Sequence, residues 1–263
     1  MSPADRDDHQ LAHDLAAEAG ELLLEVRRRL AAEGATTRQL KDEGDRRAHE
    51  LLLRRLGEER PDDAVLSEEG SGADGPRGTA RLSADRVWII DPLDGTREFS
   101  EPPRSDWAVH VALVTAGEPV AGAVALPALG RVLTSSPPPP HPGPPPARPR
   151  VIVSRSRPPA VALHLADALG GELVELGSAG AKVAAVVEGR ADVYPHAGGQ
   201  YEWDSCAPVA VARAAGLVAT RLDGSPLVYN APDPYLPDLV VAHPALAARV
   251  RIELDRWLGG GAR

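Results

Sequence analysis

The chain has 263 residues, of which 43 % are apolar, 25 % charged and only 3 % aromatic. This length allows one large or two modest domains, and the composition is typical of a globular protein with an aliphatic core. The formal net charge of −9 argues against nucleic acid or an anionic membrane as the main partner, and few aromatic rings are available to stack on single-stranded bases.

A single cysteine, Cys206, excludes a disulfide within the chain and leaves almost no scope for a cysteine-based zinc site. The polar first ten residues, MSPADRDDHQ, have neither the basic start nor the apolar centre of a signal peptide. No apolar run reaches the ~18 residues that a membrane span requires. We therefore expect a cytoplasmic protein.

The first half of the chain is predicted to mix helices and strands. Apolar residues recur every three or four positions over residues 11–30, which predicts an amphipathic helix capped by Asp7 or Asp8 and followed by Gly34. The other expected elements are a helix at about 45–56, a short strand in PDDAVLSEEG, a loop at 70–81, a strand buried on both faces at RVWII, and three strands in 106–136 with turns at 116–118 and 128–130.

The second half repeats this mixture of elements. The expected order is a strand at RVIVSRSR, a helix at about 159–169, a strand at ELVEL, a helix at AGAKVAAVVEG, a strand at ADVYP, a helix from about Asp204 to Ala215, strands at GLVAT and DLVVA, and a final helix at 244–258.

A proline-rich segment, PPPPHPGPPPARP at 137–149, separates the two halves. Because proline lacks a backbone donor, this segment cannot pair in a sheet and should be extended. We interpret it as a hairpin tip or linker in preference to a docking ligand for a partner protein. We predict an N-terminal α/β domain at 1–146 and a C-terminal α/β domain at 147–263, sharing a cleft.

Four acidic positions fall where predicted strands end or a helix begins, which is where α/β folds place their sites. They are Glu68, Asp91, Asp94 and Asp204. Crowded carboxylates repel one another, and hard divalent cations such as Mg²⁺ relieve the repulsion while keeping positions for water and phosphate. The turn between the two central aspartates can also add the Leu93 carbonyl as an oxygen ligand.

Thr96 follows Gly95 at a predicted helix start, where backbone N–H groups can hold a phosphate oxygen. The Thr96 hydroxyl could hold a water in line with phosphorus, beside two cations roughly 3.5–4 Å apart. Each motif also has an ordinary explanation when taken alone: PLDG as a turn, SEE as a solvated acidic end, and Asp204 as a helix N-cap. No nucleophile motif such as GxSxG competes with the metal hypothesis.

The order of these motifs is distinctive. WIIDPLDGT, with LSEE upstream and EWDSCAPVAVARAAG downstream, resembles the inositol monophosphatase-like family of magnesium-dependent, lithium-sensitive phosphatases, over about residues 11–258. Within that family, VSRSR, GSAGAK and GGQYEWD are most similar to the 3′(2′),5′-bisphosphate nucleotidase branch in its actinobacterial form. The resemblance implies a mixed α/β fold, a layered α/β/α/β/α sandwich. It also implies that metal-activated water hydrolyses the 3′-phosphate of adenosine 3′,5′-bisphosphate, or of adenosine 3′-phosphate 5′-phosphosulfate, in sulfate assimilation.

The resemblance also implies roles for single residues. The metal ligands would be Glu68, Asp91, the Leu93 carbonyl, Asp94 and Asp204, holding two Mg²⁺ ions or three. Glu68 and Thr96 would orient the attacking water, Asp94 would complete the catalytic set, and the amides of Gly95 and Thr96 would hold phosphate. One segment departs from the pattern: K-x-D-x-S-P-V-T-x-A-D is replaced by QLKDEGDRRAH, which keeps Asp45 but lacks Ser-Pro-Val-Thr. The roles of Lys41 and Asp45 and the number of metals therefore stay open.

A bisphosphorylated nucleotide also needs a cationic pocket for the phosphate that is not cleaved. Candidate residues for the pocket and the base are Ser154, Arg155, Arg157, Ser178, Lys182 and Tyr201. A solvated loop explains the two arginines equally well, and Tyr201 could pack on the base or merely fill space.

Two alternative functions remain at this point. The chain could be an inositol monophosphatase or fructose-1,6-bisphosphatase of the same family, or a non-catalytic module that binds metal or nucleotide. In each case the expected partner is a small phosphate ester, and the family resemblance adds a homodimer as an expectation.

Overall fold

The computed structural model describes residues 7–70 and 78–260, and two five-stranded sheets organise them. The first sheet has the order β1-β2-β3-β4-β5, with β1 parallel to β2 and the other pairs antiparallel. Its strands are β1 (Ala64–Ser67), β2 (Arg86–Asp94), β3 (Ala108–Thr115), β4 (Glu118–Leu126) and β5 (Arg131–Thr134).

The second sheet has the order β7-β6-β8-β10-β9. Its three neighbouring strands β7, β6 and β8 run parallel, whereas β10 is antiparallel to both β8 and β9. Its strands are β6 (Arg150–Ser154), β7 (Glu172–Leu176), β8 (Val193–Tyr201), β9 (Val218–Thr220) and β10 (Tyr235–Ala242).

Helices cover both sheets and fill the space between them. The described helices are α1 (Asp8–Ala32), α2 (Thr37–Glu59), α3 (Thr96–Phe99), α4 (Ala160–Ala168), α5 (Ala179–Val187), α6 (Glu202–Ala214) and α7 (Pro244–Gly260). Helices α1 and α2 pack on the outer face of the first sheet, α5 and α6 lie between the sheets, and α4 and α7 cover the outer face of the second. The predicted α/β/α/β/α sandwich is confirmed.

The alternation of side chains along β3 shows how the layers are held together. Val109 and Val111 face the helices α1 and α2, while Ala108 and Ala112 join the central core against α5 and α6. RVWII is buried on both faces as predicted, since Trp88 and Ile89 belong to opposite cores. The central core contains residues from both halves of the chain, and the domain division at residue 146 stays a prediction.

The first helix has its predicted cap at Asp7, which accepts the His9 N–H, but the start of the second helix was predicted wrongly. It begins at Thr37, eight residues before the expected position at 45. Thr36 and Gln39 form a reciprocal capping box, in which each side chain accepts the other residue's backbone N–H. The capping box nucleates the helix earlier than the apolar periodicity suggested.

Two loop predictions have different outcomes. Residues 135–149, which include the proline-rich segment, contain no helix or strand and connect β5 to β6, as expected. The loop expected at 70–81 lies partly outside the described residues, and its last residues enter a 3₁₀ turn at Thr79–Ser83. Among the described residues, no helix is both long and apolar enough to cross a membrane.

Candidate active site

Three carboxylates from two distant parts of the chain converge at one end of the first sheet. Asp91 and Asp94 lie on β2 and are 1 % and 7 % exposed, and Asp204 lies in the first turn of α6. One carboxylate oxygen from each lies within 4.8 Å of the others. The structure therefore brings together three of the four acidic positions expected from the sequence as a candidate metal cluster.

A bulge in β2 aligns the two neighbouring aspartates. Residues three apart in a regular strand point to opposite faces. Here Asp91 pairs with His110 and Asp94 pairs with Ala108, so three steps along β2 match two steps along β3. The extra residue puts both carboxylates on the same face of the sheet.

Glu68 reaches the cluster because β1 is parallel to β2. Ser67 pairs with Ile90, which places the next residue, Glu68, beside Asp91, and the two carboxyl groups share a hydrogen bond. Burial and the nearby Glu69 raise the pKa of Glu68 to about 7. Burial and the neighbouring carboxylates also raise the pKa of Asp91 well above its usual value.

Asp94 is held by the beginning of α5. The Ser178 hydroxyl donates to Asp94 Oδ2 at 2.5 Å, the Gly180 N–H donates to the same oxygen at 2.7 Å, and the Ala179 N–H donates to Oδ1 at 3.1 Å. Burial alone would raise the pKa of Asp94, but contacts with His110 and Ser178 lower it to about 2. Asp94 is thus a carboxylate held ionised among neighbours that favour protonation.

Asp204 occupies the third position of α6, not the N-cap position that the alternative reading of the sequence gave it. Its Oδ2 accepts the N–H of the N-cap residue, Tyr201, at 2.7 Å. Burial and the charges of Asp94 and Glu68 raise the pKa of Asp204 to about 7. Its side chain can therefore close the helix start and still present an oxygen to the cluster.

This donor set fits a hard divalent cation. All the converging side chains offer carboxylate oxygens, the ligands that Mg²⁺ prefers, and together they carry more negative charge than the buried site tolerates. The raised pKa values of Asp91 and Asp204 result from burial together with that excess negative charge. A bound cation would neutralise it, so Asp91, Asp94 and Asp204 are the residues that could hold the metal, with Glu68 beside them.

The DPLDGT turn places Gly95 and Thr96 directly after Asp94. Gly95 has φ +84°, a conformation that other residues rarely adopt, and a Cβ there would lie within a tight 3.1 Å of Ser178 Cβ. The Thr96 hydroxyl donates to the Leu93 carbonyl at 3.1 Å and lies 3.5 Å from Asp45 Oδ1. Leu93 and Thr96 therefore contact each other beside the cluster.

Asp45 also belongs to this neighbourhood, although the segment around it departs from the family pattern. It lies on α2, where burial and the charge of Glu69 raise its pKa to about 7. Lys41, one helical turn earlier, has the opposite effect on that pKa. The missing Ser-Pro-Val-Thr loop is replaced by regular helix that still carries Asp45 to Thr96.

Lys182 lies underneath the start of α5 and is 5 % exposed. Its ammonium donates to the carbonyls of Gly177 at 3.0 Å and Ser178 at 2.6 Å, and lies 5.4 Å from the centre of the Tyr194 ring. Burial lowers the pKa of Lys182, while the charge of Asp94 opposes that effect. Its hydrogen bonds fix the loop that holds Asp94.

The two arginines of SRSR have different environments. Arg155 donates to Glu98 Oε1 at 3.0 Å and to Glu101 Oε2 at 3.2 Å, so it ties the end of β6 to the segment that follows DPLDGT. Arg157 is exposed, and within the described ranges no ion pair involves it. Ser154 is half-buried at the end of β6.

Tyr201 combines an exposed ring with an aromatic neighbour. Its ring stacks on Trp203 at a centroid distance of 4.8 Å and an angle of 7°, and Tyr235 meets it edge-on at 5.9 Å. Because Tyr201 is still 43 % exposed, the ring can accept a further planar group.

Sequence reasoning missed two residues of this site, His110 and Gly180. His110 is fully buried on β3, and its Nε2 lies 3.2 Å from Asp94 Oδ2. A Cβ on Gly180 would lie 2.1 Å from that nitrogen, so only glycine leaves room for the ring. The signal was present in DWAVHVALV, where histidine occupies a core-facing position of a strand.

Known proteins place this arrangement in a family. The model of the inositol monophosphatase family matches residues 6–137 and 151–254. The chain belongs to the inositol monophosphatase family. The matched ranges omit most of the proline-rich segment.

Two mycobacterial proteins with the same name match most of the chain. The chain is 52 % identical over 242 residues to a 3′-phosphoadenosine 5′-phosphate phosphatase of Mycobacterium tuberculosis, covering 88 % of this chain and 86 % of that one. It is 51 % identical over 256 residues to the protein of the same name from Mycobacterium leprae, covering 93 % and 92 %.

Solved structures share the fold. The crystal structure of CysQ from Bacteroides thetaiotaomicron covers 90 % of this chain and 97 % of its own, with a TM-score of 0.73 and 28 % identity. Inositol monophosphatase II from Staphylococcus aureus covers 92 % and 93 %, with a TM-score of 0.76 and 20 % identity.

Proposed function

We propose that this chain is a Mg²⁺-dependent phosphomonoesterase that removes the 3′-phosphate of adenosine 3′,5′-bisphosphate and leaves AMP. The observation that carries the proposal is the convergence of Asp91, Asp94 and Asp204, whose oxygens lie within 4.8 Å of one another. The choice of substrate rests on the relatives named 3′-phosphoadenosine 5′-phosphate phosphatase, which match most of the chain.

In this proposal the three aspartates and Glu68 would hold two Mg²⁺ ions, and Asp45 would be available for a third. Such cations supply Lewis-acid stabilisation of the attacking and leaving oxygens. The Leu93 carbonyl would be a further oxygen ligand, and it also accepts a hydrogen bond from the Thr96 hydroxyl. The chain positions these donors on rigid elements, a strand and the first turn of a helix.

The remaining catalytic work is positioning. We assign Thr96 and Glu68 to orient the attacking water, because the Thr96 hydroxyl contacts the Leu93 carbonyl next to Asp94 and Glu68 shares a hydrogen bond with Asp91. The raised pKa of Glu68 suits a group that accepts a proton near neutral pH. The backbone N–H groups of Gly95 and Thr96 would hold the phosphate being cleaved.

The second phosphate needs a cation that is free to meet it. Arg157 and the neighbouring Ser154 suit this role, because Arg157 is exposed beside the end of β6. Arg155 and Lys182 are already engaged in hydrogen bonds with the protein, which supports a role in holding the site together. We assign the adenine to the exposed ring of Tyr201, where stacking would add affinity.

The test is a phosphate-release panel with adenosine 3′,5′-bisphosphate, inositol 1-phosphate and fructose 1,6-bisphosphate, each with and without Mg²⁺ and Li⁺. We expect Mg²⁺-dependent, Li⁺-inhibited release that is fastest with the adenosine substrate. Faster release from either sugar phosphate would favour the other activities of the family. Nucleotide binding without release would favour a non-catalytic module.

A further inference from the structure

We propose that His110 is a positioning residue that fixes Asp94 relative to Asp204 and thereby sets the affinity of the site for a divalent cation. This inference rests on the proposed function, since it takes the aspartate cluster as the metal site. It assigns His110 no contact with substrate or with the reacting atoms.

The position of His110 in the sheet puts it directly behind the cluster. It is the third residue of β3, is 0 % exposed, and pairs in register with Asp91 on β2. Its neighbours on the same face, Ala108 and Ala112, are small and belong to the central core. A polar ring at such a position needs hydrogen-bond partners, because burying it without them is costly.

The two ring nitrogens meet two different parts of the cluster. Nδ1 lies 3.0 Å from the carbonyl oxygen of Trp203, which can only accept, so Nδ1 is the donor. Nε2 lies 3.2 Å from Asp94 Oδ2, which is a close polar contact but not a hydrogen bond in this geometry. Trp203 directly precedes Asp204 in the first turn of α6, so the ring bridges β2 and the helix that carries Asp204.

The glycine at position 180 makes this bridge sterically feasible. A Cβ there would lie 2.1 Å from His110 Nε2 and 3.1 Å from Ala108 Cβ. The Gly180 N–H donates to Asp94 Oδ2 at 2.7 Å, on the same oxygen that His110 faces. The small residue thus lets the helix start and the imidazole approach one carboxylate oxygen together.

The distribution of donors over Asp94 indicates what the bridge does. Oδ2 faces Ser178, Gly180 and His110, whereas Oδ1 accepts one N–H, from Ala179 at 3.1 Å. Oδ2 therefore accepts two protein hydrogen bonds and also contacts the His110 ring, whereas Oδ1 accepts one and is the less occupied oxygen. Outer partners that orient a ligating carboxylate change metal affinity by roughly 10–100-fold when they are removed.

The experiment compares two variants that each keep one half of the bridge. In His110→Asn the amide can still donate to the Trp203 carbonyl but no longer reaches Asp94, and in His110→Gln the longer amide reaches Asp94. Full-length protein freed of metal by chelation is titrated with Mn²⁺, and free Mn²⁺ is followed by electron paramagnetic resonance. We expect H110N to weaken Mn²⁺ binding by about 10-fold or more, and H110Q to stay within about threefold of the wild type.

Val111→Ala is the matched control, because it removes a buried side chain from the next position of β3, on the opposite face. If His110 had a purely structural role, H110N, H110Q and V111A would have the same Mn²⁺ affinity whenever their thermal stabilities were equal. That result would overturn the proposal. If H110N does not fold, His110→Phe replaces it, since phenylalanine fills the space without polar atoms. Unchanged Mn²⁺ affinity in that variant would equally overturn the proposal.

Asp94→Asn separates this inference from the proposed function. If D94N binds Mn²⁺ as the wild type does, the aspartate cluster is not the metal site and the proposed function fails. If D94N loses binding while H110N retains it, the metal site stands and only the role of His110 is overturned.

Discussion

The Ser178 hydroxyl donates to Asp94 Oδ2 at 2.5 Å, joining two residues that lie 84 positions apart. Ser178 also caps α5 by accepting the Ala181 N–H at 2.9 Å, and its backbone has the left-handed value φ +43°. A non-glycine residue in that conformation is held there by its surroundings. The contact ties the two halves of the chain together at one of the carboxylates of the proposed metal site.

Asp94→Asn should lower phosphate release from adenosine 3′,5′-bisphosphate by more than about 100-fold, beyond the range of outer-shell changes. The substitution removes a ligand charge and presents an amide to donors at Ser178 and Gly180. Initial rates at saturating Mg²⁺ measure the effect, with far-ultraviolet circular dichroism to show that the fold is retained. Wild-type activity in the folded variant would contradict the site assignment.

Two glycine substitutions should shift stability in opposite directions. Gly180→Ala should destabilise the protein by about 1–3 kcal/mol, because its Cβ would lie 2.1 Å from His110 Nε2. Gly57→Ala is the matched helical control: it is exposed on α2, and no described atom lies within 4 Å of its Cβ. It should stabilise by about 0.5–1 kcal/mol, because alanine is the better helix former. Urea unfolding measures both, and equal effects of the two would refute the proposed packing around His110.

The metal-free protein should lose stability as pH rises from 5 to 8. Burial raises the pKa of Glu68 and Asp204 to about 7 from the usual values of 4.5 and 3.8, so the folded state binds protons more tightly than the unfolded state. This contribution is fully present below the unfolded pKa and is lost as pH rises through 7. Because the pKa of Asp94 is lowered to about 2, the titration of Asp94 changes the stability only below this pH range.

Thermal melting at pH 5, 6, 7 and 8, with and without saturating Mg²⁺, tests this pH dependence. Metal binding requires deprotonated ligands, so added Mg²⁺ should raise Tm more at pH 8 than at pH 5. An equal gain at both pH values would mean that these carboxyl groups do not bind the cation. Glu68→Gln should reduce the pH dependence in the metal-free protein.

Arg157→Ala and Lys182→Met should have different kinetic effects. Arg157 is exposed and free to meet a second phosphate, so its loss should raise KM about 10-fold for adenosine 3′,5′-bisphosphate and leave adenosine 3′-monophosphate unchanged. Lys182 holds the carbonyls of Gly177 and Ser178, so its loss should lower Tm and slow both substrates alike. A selective loss of bisphosphate activity in K182M would instead return Lys182 to the substrate pocket.

Much of this protein could be predicted from local sequence signals. The period of apolar residues located α1, and the unbroken run of Trp88, Ile89 and Ile90 identified a strand buried on both faces. Motif order predicted the family and the layered fold. The early start of α2 was missed because it depends on a capping pair, Thr36 and Gln39, and not on apolar periodicity.

The roles of the cationic residues could not be read in the same way. SRSR and SAGAK indicate positive charge, but the direction of a long side chain depends on what packs around it. Lys182 turns back onto its own helix start, and Arg155 finds Glu98 and Glu101. Both outcomes are decided by contacts between segments that the sequence does not place next to each other.

The sequence by itself determined most of the strands and helices and the order of the acidic residues, because periodicity and turn chemistry act over a few neighbouring positions. Only the tertiary structure decided that a bulge in β2 turns Asp91 and Asp94 to one face, and that His110 and Gly180 lie behind them. The physical reason is close packing, which fits one imidazole between a strand and two helix starts where any larger neighbour would collide.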